Sequence, residues 1–209
     1  LDPRIPVHFR LLAVQAGRLD LAEFFCSHGV QHGHTDEDGL LRVWTLKPGL
    51  MQVELRRKIR PGEFGTLLWA AISPDGSRLA SGNAFGEVQI WNARTGRKIG
   101  ALIKHRGLVR SLAFSPDGSW LAVAGGSPGV SGEVRLIPWQ SGPKTDVQPR
   151  VLATQEDVFF DVAFRADGQR LAAGGTDGLL RVFEVGTGSQ LLKIESHADW
   201  VTDVCFIPD

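Results

Sequence analysis

An all-β protein built from a repeated four-stranded antiparallel unit is what the sequence predicts. Three observations predict it: a turn tetrapeptide recurs, an apolar run recurs in step with it, and the composition breaks the chain too often for long helices. The turn reads Ser73-Pro74-Asp75-Gly76, Ser115-Pro116-Asp117-Gly118 and Arg165-Ala166-Asp167-Gly168, and Ile207-Pro208-Asp209 follows the same start. The second positions of these turns lie 42, 50 and 42 residues apart. The apolar run reads Leu41-Arg42-Val43-Trp44, Val88-Gln89-Ile90-Trp91, Val134-Arg135-Leu136-Ile137 and Leu180-Arg181-Val182-Phe183, with ends 47, 46 and 46 residues apart. Two independent markers with one period define a repeat architecture. The 209 residues include 25 glycines and 11 prolines, which punctuate the chain at turn positions.

Within each unit the strands follow in order. The first is the apolar run before the turn, as in Leu112-Ala113-Phe114. In the turn, Pro presets φ and Gly tolerates a positive φ. The second strand is a short apolar run: Arg78-Leu79-Ala80, Trp120-Leu121-Ala122-Val123 or Arg170-Leu171-Ala172-Ala173. A glycine-rich turn leads to the third strand, which is the second marker. Thr95-Gly96 or Thr187-Gly188 then turns the chain into a fourth, such as Leu191-Leu192-Lys193-Ile194. Four short antiparallel strands in about 45 residues make one β-propeller blade.

This register gives full blades over 67–102, 108–153 and 158–194, the last two strands of another over 40–59, and one first strand over 200–206 within a partial blade at 200–209. Closed propellers need about four to eight blades. The chain is therefore either a piece of a longer propeller or one whose ends share a blade, with residues 9–15 supplying the missing strand. The stop inside a turn at Pro208-Asp209 favours the piece. Residues 1–39 depart from the repeat. There Asp20 and Glu23 form a cap pattern, Leu21, Phe24 and Phe25 share a face, and Gly29 ends the run, so 20–28 is expected to be helical.

The succession Ser-Pro-Asp-Gly, Leu-Ala-Ser-Gly, Val-x-Ile-Trp-Asn, Thr-Gly resembles the WD-repeat (beta-transducin repeat) family, in the style of its bacterial members, over roughly residues 36–209. The resemblance implies a propeller whose blades each carry a hydrogen-bonded His, Asp and Trp. By position, His105 and His197 fill the His place, and Glu63 and Gln155 stand there in the other repeats. The Asp place holds Asp38, Phe85, Ser131 and Asp177, and the Trp place holds Trp44 and Trp91. No continuous repeat has the full set, and these residues read as structural rather than as a catalytic His–Asp pair.

The function expected from the resemblance is a non-catalytic protein–protein interaction scaffold, working through the loops at one end of the propeller. The alternative is the propeller portion of a larger multidomain enzyme or signalling protein. The expected loops join fourth to first strands (60–65, 104–107, 154–157, 196–199) and second to third strands (82–86, 125–132, 174–178). From them Asn83, Phe85, Arg106 and Asp157 are the candidate contact residues, joined by Trp200 just after the last fourth-to-first loop. Phe85 leads, because it replaces a polar turn residue and fits the profile of an apolar interface anchor. Trp139 is a lesser candidate, since strand aromatics usually pack between blades.

Several classes are disfavoured. Lys plus Arg equals Asp plus Glu at 23 each, so the basic excess of a nucleic-acid or anionic-membrane binder is missing. The motifs nominate no nucleophile, no cofactor and no phosphate loop. Cys26, His28, His32 and His34 are zinc-type ligands, but their spacing matches no metal motif, and a polar loop is the plainer reading. No apolar run spans a membrane, no signal peptide is visible, and two distant thiols, Cys26 and Cys205, make no disulfide framework. A cytoplasmic protein whose partners are other proteins is the expectation.

Overall fold

The computed structural model describes residues 13–15, 18–24, 41–47, 52–59, 67–139, 149–195 and 198–207, with the backbone alone described for the strands before residue 68. These residues form four antiparallel sheets of four strands each, the blades of an all-β propeller. The first blade holds β1 (Ala13–Gln15), β2 (Arg18–Phe24), β3 (Leu41–Lys47) and β4 (Gln52–Ile59). The second holds β5 (Leu67–Ile72), β6 (Arg78–Asn83), β7 (Glu87–Asn92) and β8 (Lys98–Lys104). The third holds β9 (Leu108–Phe114), β10 (Trp120–Ser127), β11 (Ser131–Pro138) and β12 (Arg150–Gln155). The fourth holds β13 (Phe159–Phe164), β14 (Arg170–Gly175), β15 (Leu180–Glu184) and β16 (Gln190–Ile194). Within each blade the strands pair in chain order, and the first strands β5, β9 and β13 lie side by side.

The turn tetrapeptides do what their composition requires. In the first, Gly76 takes φ 66° and donates its N–H to the Ser73 carbonyl at 2.8 Å. Asp75 ties the turn: its carboxylate accepts from the Ser73 hydroxyl at 2.5 Å and from the Ser77 N–H and hydroxyl at 3.1 and 2.7 Å. Partial burial pushes the Asp75 carboxyl up, but these bonds and the Arg78 charge outweigh it and hold the group below the usual carboxylate range. Asp117 repeats the arrangement with Ser115 and Ser119.

The middle strands are buried where blade packs on blade, and the third blade is sandwiched between the second and the fourth. All of Leu79–Asn83 and Leu121–Gly126 are buried, so these strands read as continuous apolar and small residues rather than as an alternation. Leu79, Leu121 and Leu171 hold the same place in successive blades, each with 0% exposure, and burial of such a side chain contributes about 1.5–3 kcal/mol. One core joins the second and third blades through Val88, Ile90, Val109, Leu112 and Phe114. Another joins the third and fourth through Leu136, Phe159, Val162, Leu171 and Phe183.

Four expectations are corrected. Residues 18–24 form strand β2, paired with β3 through Leu21↔Trp44, so the helix expected over 20–28 does not form there; residues 25–28 lie outside the described ones. A helix of two to three turns is marginal alone, whereas the strand satisfies a full ladder along β3. Residues 13–24 also make the first blade four-stranded rather than a pair of strands over 40–59. The glycine-rich stretch 125–132 is mostly ladder: Gly126 pairs with Gly132 and Ser127 with Ser131, leaving a short turn closed by the Val130 N–H on the Ser127 carbonyl. Finally, residues 200–206 form no strand, since no ladder partner lies beside them among the described residues.

Residues 200–207 nevertheless follow the track of a first strand. Gly82 leaves room for Val109, whose Cγ1 lies 2.3 Å from where a Cβ would stand. Gly174 leaves the same room for Val201 at 2.4 Å, and the Val201 N–H donates to the Gly175 carbonyl at 2.9 Å.

Candidate functional site

One end of the blades gathers the turns between second and third strands with the loops between fourth and first strands. Hydrogen bonds lock these segments together. The His105 N–H donates to the Gly86 carbonyl at 2.7 Å, and the Thr176 N–H to the Val158 carbonyl at 3.1 Å. A Cβ on Gly86 would stand 2.4 Å from both the His105 and Gly107 carbonyl oxygens, so this turn and this loop touch backbone to backbone.

Phe85 stands at the tip of the first such turn, 72% exposed. Its position is fixed from below. Asn83 Oδ1 accepts the N–H groups of Phe85 and Glu87 at 3.0 and 2.8 Å, its amide donates to Glu87 at 2.9 Å, and Glu87 pairs with Lys104. Asn83 is fully buried, which corrects its place among the contact residues: its amide builds the turn and presents Phe85, and does not reach a partner. Val130, at the tip of the next turn and not singled out in the sequence, is 73% exposed. A lone valine between Gly129 and Ser131 gave no signal without its exposure.

Among the loops, Arg106 is exposed, between buried His105 and Gly107. Asp157 is half-buried, and its carboxylate accepts the Val158 N–H at 2.7 Å. Trp200 is 60% exposed and lies against Phe160, ring centres 5.5 Å apart. Trp139 is half-buried against the core of the second and third blades, with Arg78 over its ring at 5.4 Å.

The blade-network residues go to separate partners. His105 is buried: its Nε2 lies 3.2 Å from the Glu133 carbonyl oxygen and 3.8 Å from the Glu133 carboxylate, which pairs with Arg135 at 2.7 Å. Burial pushes the His105 imidazole below its ordinary value; the Glu133 carboxylate and the Gly107 and Glu133 carbonyls oppose this, and Arg135 adds to it. Trp91 donates its indole N–H to the Ser81 hydroxyl at 2.8 Å inside the second blade. Asp177 is clamped by Arg181 at 3.2 and 2.5 Å and accepts the Leu179 N–H at 3.1 Å. Partial burial raises the Asp177 carboxyl, and the Arg181 and Leu179 bonds hold it below the usual range. Trp44 lies in β3, and His197, Asp38, Cys26, His28, His32 and His34 lie outside the described residues.

Exposed at this end are Phe85, Val130 and Trp200 together with Arg106, Glu156 and Asp177, while His105 and Glu133 are buried. Among the described residues no three His, Cys, Asp or Glu side chains are placed to hold a metal ion, and no helix is long and apolar enough to cross a membrane.

Comparison with known proteins agrees with the repeat. Residues 96–136 and 149–184 match the family model "WD domain, G-beta repeat". The chain is 32% identical over 153 residues to "Small ribosomal subunit protein RACK1y" of Oryza sativa subsp. japonica, covering 71% of this chain and 42% of that protein. It is 29% identical over 153 residues to "MST50-interacting protein 11" of Pyricularia oryzae, covering 71% of this chain and 45% of that protein. The chain thus spans under half the length of these relatives.

Proposed function

We propose that these WD40 repeats form a non-catalytic scaffold that binds other proteins at the end carrying Phe85, Val130 and Trp200. One observation carries this reading: large apolar side chains project into water from turns whose backbones are held rigid. Leaving such groups in water is unfavourable, and a rigid frame spares a partner the cost of ordering loops on binding. Exposed aromatic anchors on a fixed frame are the common form of an interface hot spot. The relatives fit the reading, since one is named as a ribosomal subunit protein and the other as an interacting protein.

The test compares two variants as baits in quantitative affinity capture from cells. The double variant Phe85→Ser, Val130→Ser alters the proposed end, and Arg94→Ala, Arg97→Ala alters exposed residues in the turn between β7 and β8. Partners retained by the second variant and depleted at least tenfold by the first are expected. Equal capture by both, at matched thermal stability, would remove this end as the binding face.

A further inference from the structure

We infer that Arg110, Phe160 and Trp200 form one recognition element for an acidic, apolar peptide segment, a carboxylate meeting Arg110 and an apolar side chain meeting Trp200. The inference rests on the scaffold reading above and names the chemistry of the partner.

The three side chains come from three successive positions around the propeller. In β9, Val109 and Ser111 are buried while Arg110 between them is exposed. In β13, Phe159 and Asp161 are buried while Phe160 is half-buried. Strand alternation therefore sends Arg110 and Phe160 to the same side of neighbouring first strands. Trp200 follows at the start of the next track, just before buried Val201. The groups touch in a row: the Arg110 guanidinium lies 5.8 Å from the Phe160 ring centre, and the Phe160 and Trp200 rings are 5.5 Å apart at 45°.

Charge selects the partner. Lys104 pairs with Glu87, Arg135 with Glu133 and Arg181 with Asp177. Among the described residues, Arg106 and Arg110 have no such carboxylate. Arg110 is held over a ring, which orients its fork and leaves the N–H groups for a planar, two-oxygen acceptor. The nearby acids Asp157 and Asp199 each accept the N–H of the following residue, at 2.7 and 2.8 Å. Asp199 and Asp203 flank Trp200 and oppose a dianionic phosphate or an anionic lipid surface more than a single carboxylate. The exposed indole adds a flat apolar platform, so the fitting partner places one carboxylate beside one apolar side chain.

The probes are two fluorescein-labelled synthetic peptides, Gly-Ser-Asp-Phe-Ser-Gly with an amidated C-terminus and its counterpart with the Asp replaced by Lys, titrated with the protein in low salt and read by fluorescence polarisation. The acidic peptide is expected to bind at least tenfold more tightly than the lysine peptide. Arg110→Gln and Trp200→Ala should each weaken it at least fivefold with unchanged melting temperature, and Arg110→Lys should recover part of the loss. No binding of the acidic peptide, equal binding of both, or indifference to Arg110→Gln overturns the proposal. Cellular capture that depends on Phe85 and Val130 but not on Arg110 would sink this inference while leaving the scaffold reading intact.

Discussion

At the scale of single residues, the structure separates groups that face a partner from groups that hold them in place. Phe85 and Asn83 are two positions apart, yet one is 72% exposed and the other fully buried. The sequence puts Phe85 first yet still counts Asn83 as a contact residue, because burial of an Asn amide depends on which backbone N–H groups the turn leaves to satisfy. His105 is the most consequential titratable case. Its folded pKa lies below the ordinary value of 6.5, so the native state resists protonation more than the unfolded chain does. The stabilisation that neutral His105 brings is whole above about 6.5 and is lost as pH falls from there through the folded pKa. Thermal melts of the wild type and His105→Gln at steps from pH 7.5 to 5.0 should show the gap between them narrowing on acidification. A gap that stays constant would mean that burial of this imidazole is not coupled to folding.

At the scale of elements, the repeat was legible because turn chemistry is local. Pro and Gly at fixed places, with Asp75 and Asp117 tying the turn, specify a hairpin without help from the rest of the fold. β2 was not legible, since residues 20–24 carry a helix cap pattern and become strand only by pairing with β3 some twenty residues away. The role of Gly82 was equally hidden: it sits inside a strand, and only the approach of Val109 from the next blade explains it. Gly82→Ala should therefore destabilise the protein by about 1–3 kcal/mol through overpacking. Adding Val109→Gly clears both the Cγ1 at 2.3 Å and the Cβ at 2.6 Å, so the double variant should be more stable than the sum of the single effects by about 1 kcal/mol. Chemical denaturation of the four proteins measures this, and strict additivity would show that the two side chains do not compete for one space.

At the scale of the whole molecule, blades must be joined as well as built, and apolar cores alone do not fix their register. The first strands supply a repeated polar link. The Trp69 indole N–H donates to the Leu112 carbonyl at 3.3 Å. One blade on, the Ser111 hydroxyl donates to the Asp161 carboxylate at 2.7 Å and lies 3.4 Å from the Val162 N–H. One step further, the other Asp161 oxygen accepts the Val204 N–H at 3.0 Å. Trp69, Ser111 and Asp161 hold one register position in successive first strands, and each reaches the backbone of the segment that follows. Each link is buried or half-buried, where an unmade hydrogen bond costs more than a made one contributes. Asp161→Ala strips partners from the Ser111 hydroxyl and the Val204 N–H together, and a loss of about 2–3 kcal/mol is expected. Asp161→Asn keeps one acceptor oxygen and should lose less. Amide exchange locates the effect: the Val204 N–H should exchange faster in Asp161→Ala, while amides of β6 and β7, a full blade away, keep their protection relative to global stability. If Val204 is as protected in the variant as in the wild type, segment 200–207 is held by Val201 in its slot against Gly174, and the carboxylate is not what fastens it to the fourth blade.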